Sequence, residues 1–319
     1  MQNLNCNYKY IVITPAKNEG ENLPNLIQSM EKQTIIPVLW LIVDDGSTDN
    51  TPNIIREVQE KYEWIKSIRL EEEHPRDINL HYAHMFNKGV EFAIEYCKMH
   101  DIQYEYIGVL DADMVIEPAF FEKLINEFRK DTKLGVASGS LYRKVDNKLI
   151  LENMREDVLI GSARVWRREC FEEINGLPVS YSPDVVADVI AKLRGWETRM
   201  FKEIKAVQTR GISSAEGLWK GYKIRGISAY FRNYHPLFVL AKGLKYLFER
   251  PYYTGIAYLY GYVSSFLKRI EKIDNEEVKD YYWHKKPKEA IQYYKAKLIK
   301  NFKPRDFTRL PLKLFRKKF

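Results

Sequence analysis

Cysteine is scarce: only Cys6, Cys97 and Cys170 occur in 319 residues, far apart, odd in number and without a C-x-x-C pair. That argues against a disulfide framework or a cysteine-built zinc site and suits a reducing compartment. No run approaches the roughly 18–20 uncharged apolar residues of a spanning helix. Internal repeats and low-complexity tracts are also absent. The N-terminus passes from polar residues 1–7 into an apolar run at 10–13. It lacks the charged-then-apolar build of a secretory signal, so the expectation is a cytoplasmic protein. His81 and His84 are the only close histidine pair, and they read as surface or helix-packing residues rather than metal ligands.

What is present is a folded composition, 45% hydrophobic and 29% charged, long enough for one large α/β domain with an appended segment. The net charge of +8 conceals a split. From Lys220 onward there are 24 Lys and Arg against 8 Asp and Glu, whereas the first 219 residues hold 27 against 35. An acidic body and a basic tail region meet different partners.

Short β-rich runs alternate with helical patterns over the first two hundred residues, which predicts a mostly parallel sheet flanked by helices. Strands are expected at 10–14, 38–43, 65–70 and 106–110, with less regular ones near 134–141 and 159–166. Helical spacing at Leu23, Leu26, Ile27 and Met30, at 89–97, at Phe121, Leu124, Ile125 and Phe128, and at 185–193 supplies the covering layers. Three strands finish in polar sequence: Thr14-Pro15-Ala16, Asp44-Asp45-Gly46 and Asp111-Ala112-Asp113. Ligands of open α/β sheets bind at the carboxyl ends of strands, so these three ends outline a nucleotide site.

Asp111-Ala112-Asp113 is the most informative triplet. Two carboxylates one residue apart repel a diphosphate unless a hard cation sits between them, and oxygen-ligated Mg²⁺ or Mn²⁺ suits that place. Asp45, Ser47 and Asp49 read as turn and helix-capping residues.

The segments 14–19 (TPAKNE), 43–49 (VDDGSTD), 87–89 (NKG) and 110–113 (LDAD), in this order and at these intervals, resemble family 2 glycosyltransferases. The likeness covers about residues 8–210. It implies a GT-A catalytic domain over residues 8–212, followed by a helical, basic and aromatic extension over 213–319. It further implies an inverting reaction on a nucleotide-sugar. Carried over position by position, Thr14, Pro15, Ala16 and Glu19 line the base and ribose pocket and Asp44 contacts the base. Asn87 and Lys88 join the donor site. Asp111 faces the ribose, Ala112 separates the two acids, and Asp113 ligates the metal. Ala16 and Asp44 fit uracil, so a UDP-sugar is the expected donor, with thymidine and guanosine donors as alternatives.

An inverting transfer needs a base for the acceptor hydroxyl. The family's base stands eleven residues before a helix-ending Gly, and Asp184 precedes Gly195 by that interval, with Pro183 where Glu is common. Asp188, one helical turn further on, stays open as an alternative. Residues 161–178 resemble the acceptor side. Trp219, Lys223, Arg225 and Gly226 resemble a tail in which a basic residue, Arg225 or Lys223, closes over the diphosphate. The Gln-x-x-Arg-Trp string of processive members is absent, which implies addition of a single sugar to a glycan or glycolipid acceptor.

The basic, tyrosine-rich C-terminal third carries no RRM, KH or helix-turn-helix signature, so no nucleic-acid partner is expected. Two readings remain. One is a peripheral surface for the inner face of the cell membrane, with the Phe-rich basic end at 302–319 contributing. The other is a helical subdomain with residues 237–248 and 255–267 as its core. Two rival functions fit the sequence less well. A sugar-phosphate nucleotidyltransferase would carry a Gly-rich basic loop after the first strand, where this chain has Pro15-Ala16-Lys17-Asn18-Glu19-Gly20. A catalytically idle binding module would not be expected to keep Asp44, Asp111, Asp113 and Asp184 together.

Overall fold

Burial decides the centre of the fold. In the computed structural model, which describes residues 8–70, 80–145, 148–152, 158–209 and 217–301, strands Tyr10–Ala16 (β1) and Leu39–Asp44 (β2) are buried at every position. That is the pattern of strands covered on both faces. Ile65–Arg69 (β3) flanks β2 and Tyr106–Leu110 (β4) flanks β1, all four parallel in the order β3-β2-β1-β4. Helices Leu23–Glu31 (α1), Thr51–Lys61 (α2) and Leu80–Met99 (α3) make the crossovers. Because the chain leaves β1 to one side and returns to the other at β4, a crevice opens at the carboxyl ends of these two strands.

Past β4 the sheet becomes mixed. Its next members are Ala163–Arg167 (β8), Leu134–Val145 (β6), Glu197–Gln208 (β9) and Met114–Ile116 (β5), while Lys148–Leu151 (β7) pairs with β6 off this path. β8 runs antiparallel to β4, setting Ala163 opposite Leu110. β9 is antiparallel to β5, setting Gln208 opposite Met114. Both registers bring later sequence beside the residues that follow β4.

Alternate side chains of β1 and β2 point to opposite faces and divide between two apolar cores. Tyr10, Val12, Trp40 and Ile42 pack with α1, α2 and Phe120–Lys130 (α4). Ile11, Ile13, Leu41 and Val43 pack with α3, Arg168–Glu173 (α5) and Pro183–Leu193 (α6). A Cβ added at Gly89 on α3 would lie 2.6 Å from Val43 Cγ2, so glycine there sets how closely α3 approaches the sheet. Two residues earlier, the Asn87 amide clasps a distant backbone: it donates to the Leu177 carbonyl at 2.7 Å and accepts from the Leu177 N–H at 3.1 Å.

The C-terminal third is helical: Gly217–Phe231 (α7), Pro236–Leu247 (α8), Tyr253–Leu267 (α9), Glu276–Asp280 (α10), a π-helical turn Tyr281–Lys285, and Lys286–Asn301 (α11). It shares the α3-side core through Ala229, Tyr234, Tyr258 and Tyr282. Residues 237–248 and 255–267 supply part of that core: Val239 and Tyr258 are buried in it, and Phe238, Tyr246, Leu259 and Tyr262 pack against it. Other large apolar side chains of the two segments are exposed, among them Leu237, Leu240, Phe248, Ile256 and Leu267. The expected Phe-rich end at 302–319 lies outside the described residues. No helix among the described residues is long and apolar enough to cross a membrane.

Sequence periodicity anticipated the first four strands closely and missed β5, β7 and β9. β5 has three residues and β7 is exposed throughout. β9 carries Arg199, Lys202, Glu203 and Lys205, whose charges mask its buried positions Met200, Phe201, Ile204 and Ala206.

Asn87→Ala should leave both Leu177 backbone groups without their partner and lower stability by about 1–3 kcal/mol, read in urea denaturation. A midpoint equal to that of the wild type would show that the clasp contributes nothing.

Candidate active site

The end of β1 is built from the inside. Thr14 is buried, and its hydroxyl accepts the Trp40 indole N–H at 2.8 Å, which fixes the strand before Pro15. Register with β2 sets Ala16 opposite Asp44, and register with β3 sets Asp44 opposite Arg69. One Asp44 oxygen accepts the Ser47 N–H at 2.9 Å and the other accepts the Arg69 guanidinium, which also donates to the Ser47 carbonyl. Asp44 is therefore a buried acceptor screened by a half-exposed arginine.

The turn after β2 holds the turn after β1. Asp45 takes Lys17 at 3.1 Å on one oxygen and His81 at 2.8 Å on the other. Ser47 Oγ accepts the Asn18 N–H, and Asp49 accepts the N–H groups of Gly20 and Thr51. Glu19 is buried and accepts from the Asn22 amide at 2.8 Å.

The end of β4 gathers negative charge. The Asp111 N–H donates to Ser162 and its carboxylate accepts the Tyr82 hydroxyl at 3.1 Å. Burial pushes the Asp111 carboxyl up to about 7, with Asp113 adding to the rise and Asp184 and Glu19 contributing less; the Tyr82 bond acts in the other direction. Buried Ala112 separates it from Asp113, which accepts the Gln208 amide at 3.2 Å. The Asp113 carbonyl accepts both the N–H and the hydroxyl of Thr209. A carboxylate whose proton affinity is raised by burial and neighbouring acids also attracts a cation, and the all-oxygen donor set is that of Mg²⁺ or Mn²⁺. Among the described residues no three acidic, His or Cys side chains form a ready-made cage. A cation with few protein carboxylates and several phosphate ligands fits this arrangement, since Mg²⁺ commonly binds that way.

The fourth carboxylate arrives on α6. Pro183 occupies its first turn, where a missing N–H costs nothing, and Asp184 follows near the positive end of the helix dipole. A Cβ at Gly161 would lie 2.7 Å from Asp184 Oδ2, so this carboxyl rests directly on the segment leading into β8. Arg164, fully buried on β8, organises the group: Nε donates to the Ile160 carbonyl at 2.8 Å and Nη1 to the Asp188 carboxylate at 2.8 Å. Its contact to Asp184 is longer, 3.5 Å, and the Asp184 side chain keeps 30% exposure. Burial raises the Asp188 carboxyl to about 6, opposed first by Arg164. Asp188 is thus the counter-ion of a buried arginine, while Asp184 stays accessible.

Glu19, Asp111, Asp113 and Asp184 share one electrostatic neighbourhood, and Thr14, Pro15, Ala16 and Asp44 border it along the strand ends. Asn87 is engaged by Leu177 and Lys88 sits half-buried on α3. Arg225 is exposed on α7, its guanidinium 4.6 Å over the Tyr222 ring. Sequence reading missed Tyr82, Arg69, Arg164 and Gln208. Arg164 lay within the segment compared with the family's acceptor side, but only strand pairing reveals its partners.

A mixed sheet whose parallel strands end in acidic residues meeting at its switch point is the build of a GT-A glycosyltransferase domain. The profile of Glycosyl transferase family 2 matches residues 11–181, more than half of the chain, and the chain belongs to that family. Among curated proteins, poly-beta-1,6-N-acetyl-D-glucosamine synthase of Staphylococcus epidermidis is 31% identical over 123 residues, 39% of this chain and 26% of that protein. Chondroitin synthase of Escherichia coli is 33% identical over 159 residues, 49% of this chain and 19% of that one. The chain therefore matches only a minor part of these relatives' length. Among solved structures, S. aureus TarS in complex with UDP superposes with a TM-score of 0.51 at 16% identity, covering 69% of this chain and 64% of that one. Mannosyltransferase PcManGT from Pyrobaculum calidifontis, in complex with GDP-Man and Mn2+, gives 0.50 at 15%, covering 92% and 81%. These likenesses establish the fold.

Replacing Asp188 by Asn should strand the buried Arg164 charge and destabilise the protein by about 3–5 kcal/mol, whereas Asp184→Asn should change stability by less than about 1 kcal/mol. Thermal melting of the two variants checks this, and the reverse ranking would overturn the division of roles.

Proposed function

We propose that the chain is an inverting glycosyltransferase. It moves one sugar from a nucleotide-sugar, a UDP-sugar by preference, to a hydroxyl of a lipid-linked saccharide or another cell-surface glycan precursor. The observation that carries this reading is the meeting of Asp111, Asp113 and Asp184 beside the carboxyl ends of β1 and β4. Residues 8–212 form the catalytic unit, and the basic extension 213–319 holds it at the cytoplasmic face of the membrane as a peripheral protein. Support for the donor class comes from TarS, solved with UDP and with UDP-GlcNAc, and for a divalent metal from PcManGT, solved with Mn2+.

In this reading Thr14, Pro15, Ala16 and Glu19 wall the nucleoside and Asp44 accepts from the base, with Arg69 moving aside. Asp111 faces the ribose and Asp113 would hold Mg²⁺ or Mn²⁺ against the diphosphate. The bound cation supplies charge neutralisation for the departing diphosphate. Arg225 closes over the phosphates from α7, Lys88 borders the donor, and Asn87 acts by fixing the Leu177 segment. The acceptor oxygen attacks the anomeric carbon on the face opposite the leaving group. One C–O bond forms as the bond to the diphosphate oxygen breaks, and Asp184 takes the acceptor proton. Asp188 holds Arg164 so that the guanidinium does not clamp the base.

A panel of nucleotide-sugars incubated with the purified protein and Mn²⁺ tests the proposal. A UDP-sugar should turn over, chelation should stop it reversibly, and Asp113→Ala should cost on the order of a thousandfold. Asp184→Asn should lower turnover about 10²–10⁴-fold with donor binding little changed. Full activity in excess EDTA would contradict the metal role, and an Asp184→Asn enzyme with wild-type turnover would contradict the base.

A further inference from the structure

Helices α8 and α9 carry large apolar side chains on the face that meets water as well as on the face that packs inward. A water-facing helix normally buries its large apolar side chains and exposes small or polar ones. Here α8 buries only Val239 and Gly243, and α9 buries Thr254, Gly255, Ala257, Tyr258, Gly261 and Ser265. Around Val239 and Tyr258 the inward faces are lined by small residues, and there backbones touch. A Cβ at Gly226 would fall 2.0 Å from the Tyr258 carbonyl oxygen on α9, and one at Gly261 would fall 2.1 Å from the Lys223 carbonyl oxygen on α7. Close approach through glycine is how helices associate where burial of large side chains supplies no driving force.

A second set of large side chains points outward at helical spacing. On α8 they are Leu237, Leu240 and Leu244, followed by Phe248 at the helix end, the last 85% exposed. On α9 they are Ile256, Tyr260, Val263 and Leu267, the last 73% exposed. Both stripes repeat every three or four residues, so each forms one face of its helix. Contiguous exposed apolar faces of this kind mark an interaction surface.

Charge says what covers it. Between residues 217 and 270 stand nine Lys and Arg and a single acid, Glu249, and that acid is paired with Lys245. Arg250 sits in the connection between the two helices, and Lys268 and Arg269 follow the end of α9. An apolar stripe with cations at its ends matches a lipid leaflet, acyl chains under the stripe and anionic phosphates at the rim. A 15-residue helix such as α9 is about 22 Å long, short of the roughly 30 Å hydrocarbon core. It is suited to lie in the interface and not to cross it.

We propose that the α8–α9 hairpin is an in-plane membrane anchor. Its Leu237–Phe248 and Ile256–Leu267 stripes enter one leaflet, while Lys245, Arg250, Lys268 and Arg269 meet anionic headgroups. This rests on the peripheral-membrane part of the function proposed above and narrows it to one surface. It is independent of the donor chemistry.

The test uses the full chain and vesicles of phosphatidylcholine with or without phosphatidylglycerol, at low and high salt. Wild type should sediment with anionic vesicles, weaken as salt rises, and retain a salt-resistant fraction. Phe248→Glu and Leu267→Glu should each lower partitioning by roughly tenfold, with melting temperature and nucleotide-sugar hydrolysis unchanged. A fluorophore on Leu267→Cys should shift to an apolar environment on vesicle addition, and one on Met99→Cys, exposed on the α/β body, should not. Wild-type protein left in the supernatant in all conditions would overturn the proposal while leaving the transferase reading intact. Variants that bind as well as wild type would also overturn it, placing the anchor elsewhere in the chain. A concentration-dependent dimer that Phe248→Glu dissociates would overturn it in favour of a second copy on this face.

Discussion

Concentrated negative charge at the β1–β4 crevice is the constraint around which the rest of this structure is arranged. Burial and neighbouring acids raise the Asp111 carboxyl to about 7, a cost that a bound cation would offset. The surroundings hold the acids in place. Tyr82 bonds Asp111, Gln208 bonds Asp113, and Arg164 stands behind Asp184. Each comes from a different element, α3, β9 and β8. The mixed half of the sheet therefore matters to the site as much as the parallel half.

Arg164 shows how one buried cation divides two similar carboxylates. Asp188 is the closer partner and is the more deeply buried; Asp184 is a long contact with part of its surface in solvent. A charge lost from Asp188 would leave the guanidinium free to bind Asp184. Proline is well suited to the first turn of α6, and Arg164 already has its counter-ion one turn further along.

Much of the site was legible because it is local in sequence. Thr14 to Glu19, Asp44 and Asp111 to Asp113 each follow a buried apolar strand, and strand ends announce themselves by the change to polar residues. Asp184 stands where the resemblance to the family, through its interval to Gly195, expects the base. What was not legible depends on pairing across distance. Gln208 reaches Asp113 only because β9 joins β5, and Arg69 reaches Asp44 only through the register of β3 on β2. In the C-terminal third the apolar periodicity of residues 237–248 and the apolar, tyrosine-rich run at 255–267 were visible. Which side chains face inward was not, since that depends on glycine contacts between helices, Gly261 on α7 and Gly243 on Leu259 of α9.

Calorimetric titration of UDP into the protein, with Mn²⁺ or with EDTA, bears most directly on the proposal that a cation joins this carboxylate cluster to a diphosphate. Coupling between two ligands is reciprocal, so Mn²⁺ should tighten UDP by at least about tenfold and UDP should tighten Mn²⁺ by the same factor. Asp113→Ala should remove that coupling. Equal UDP affinity in Mn²⁺ and in EDTA would contradict it.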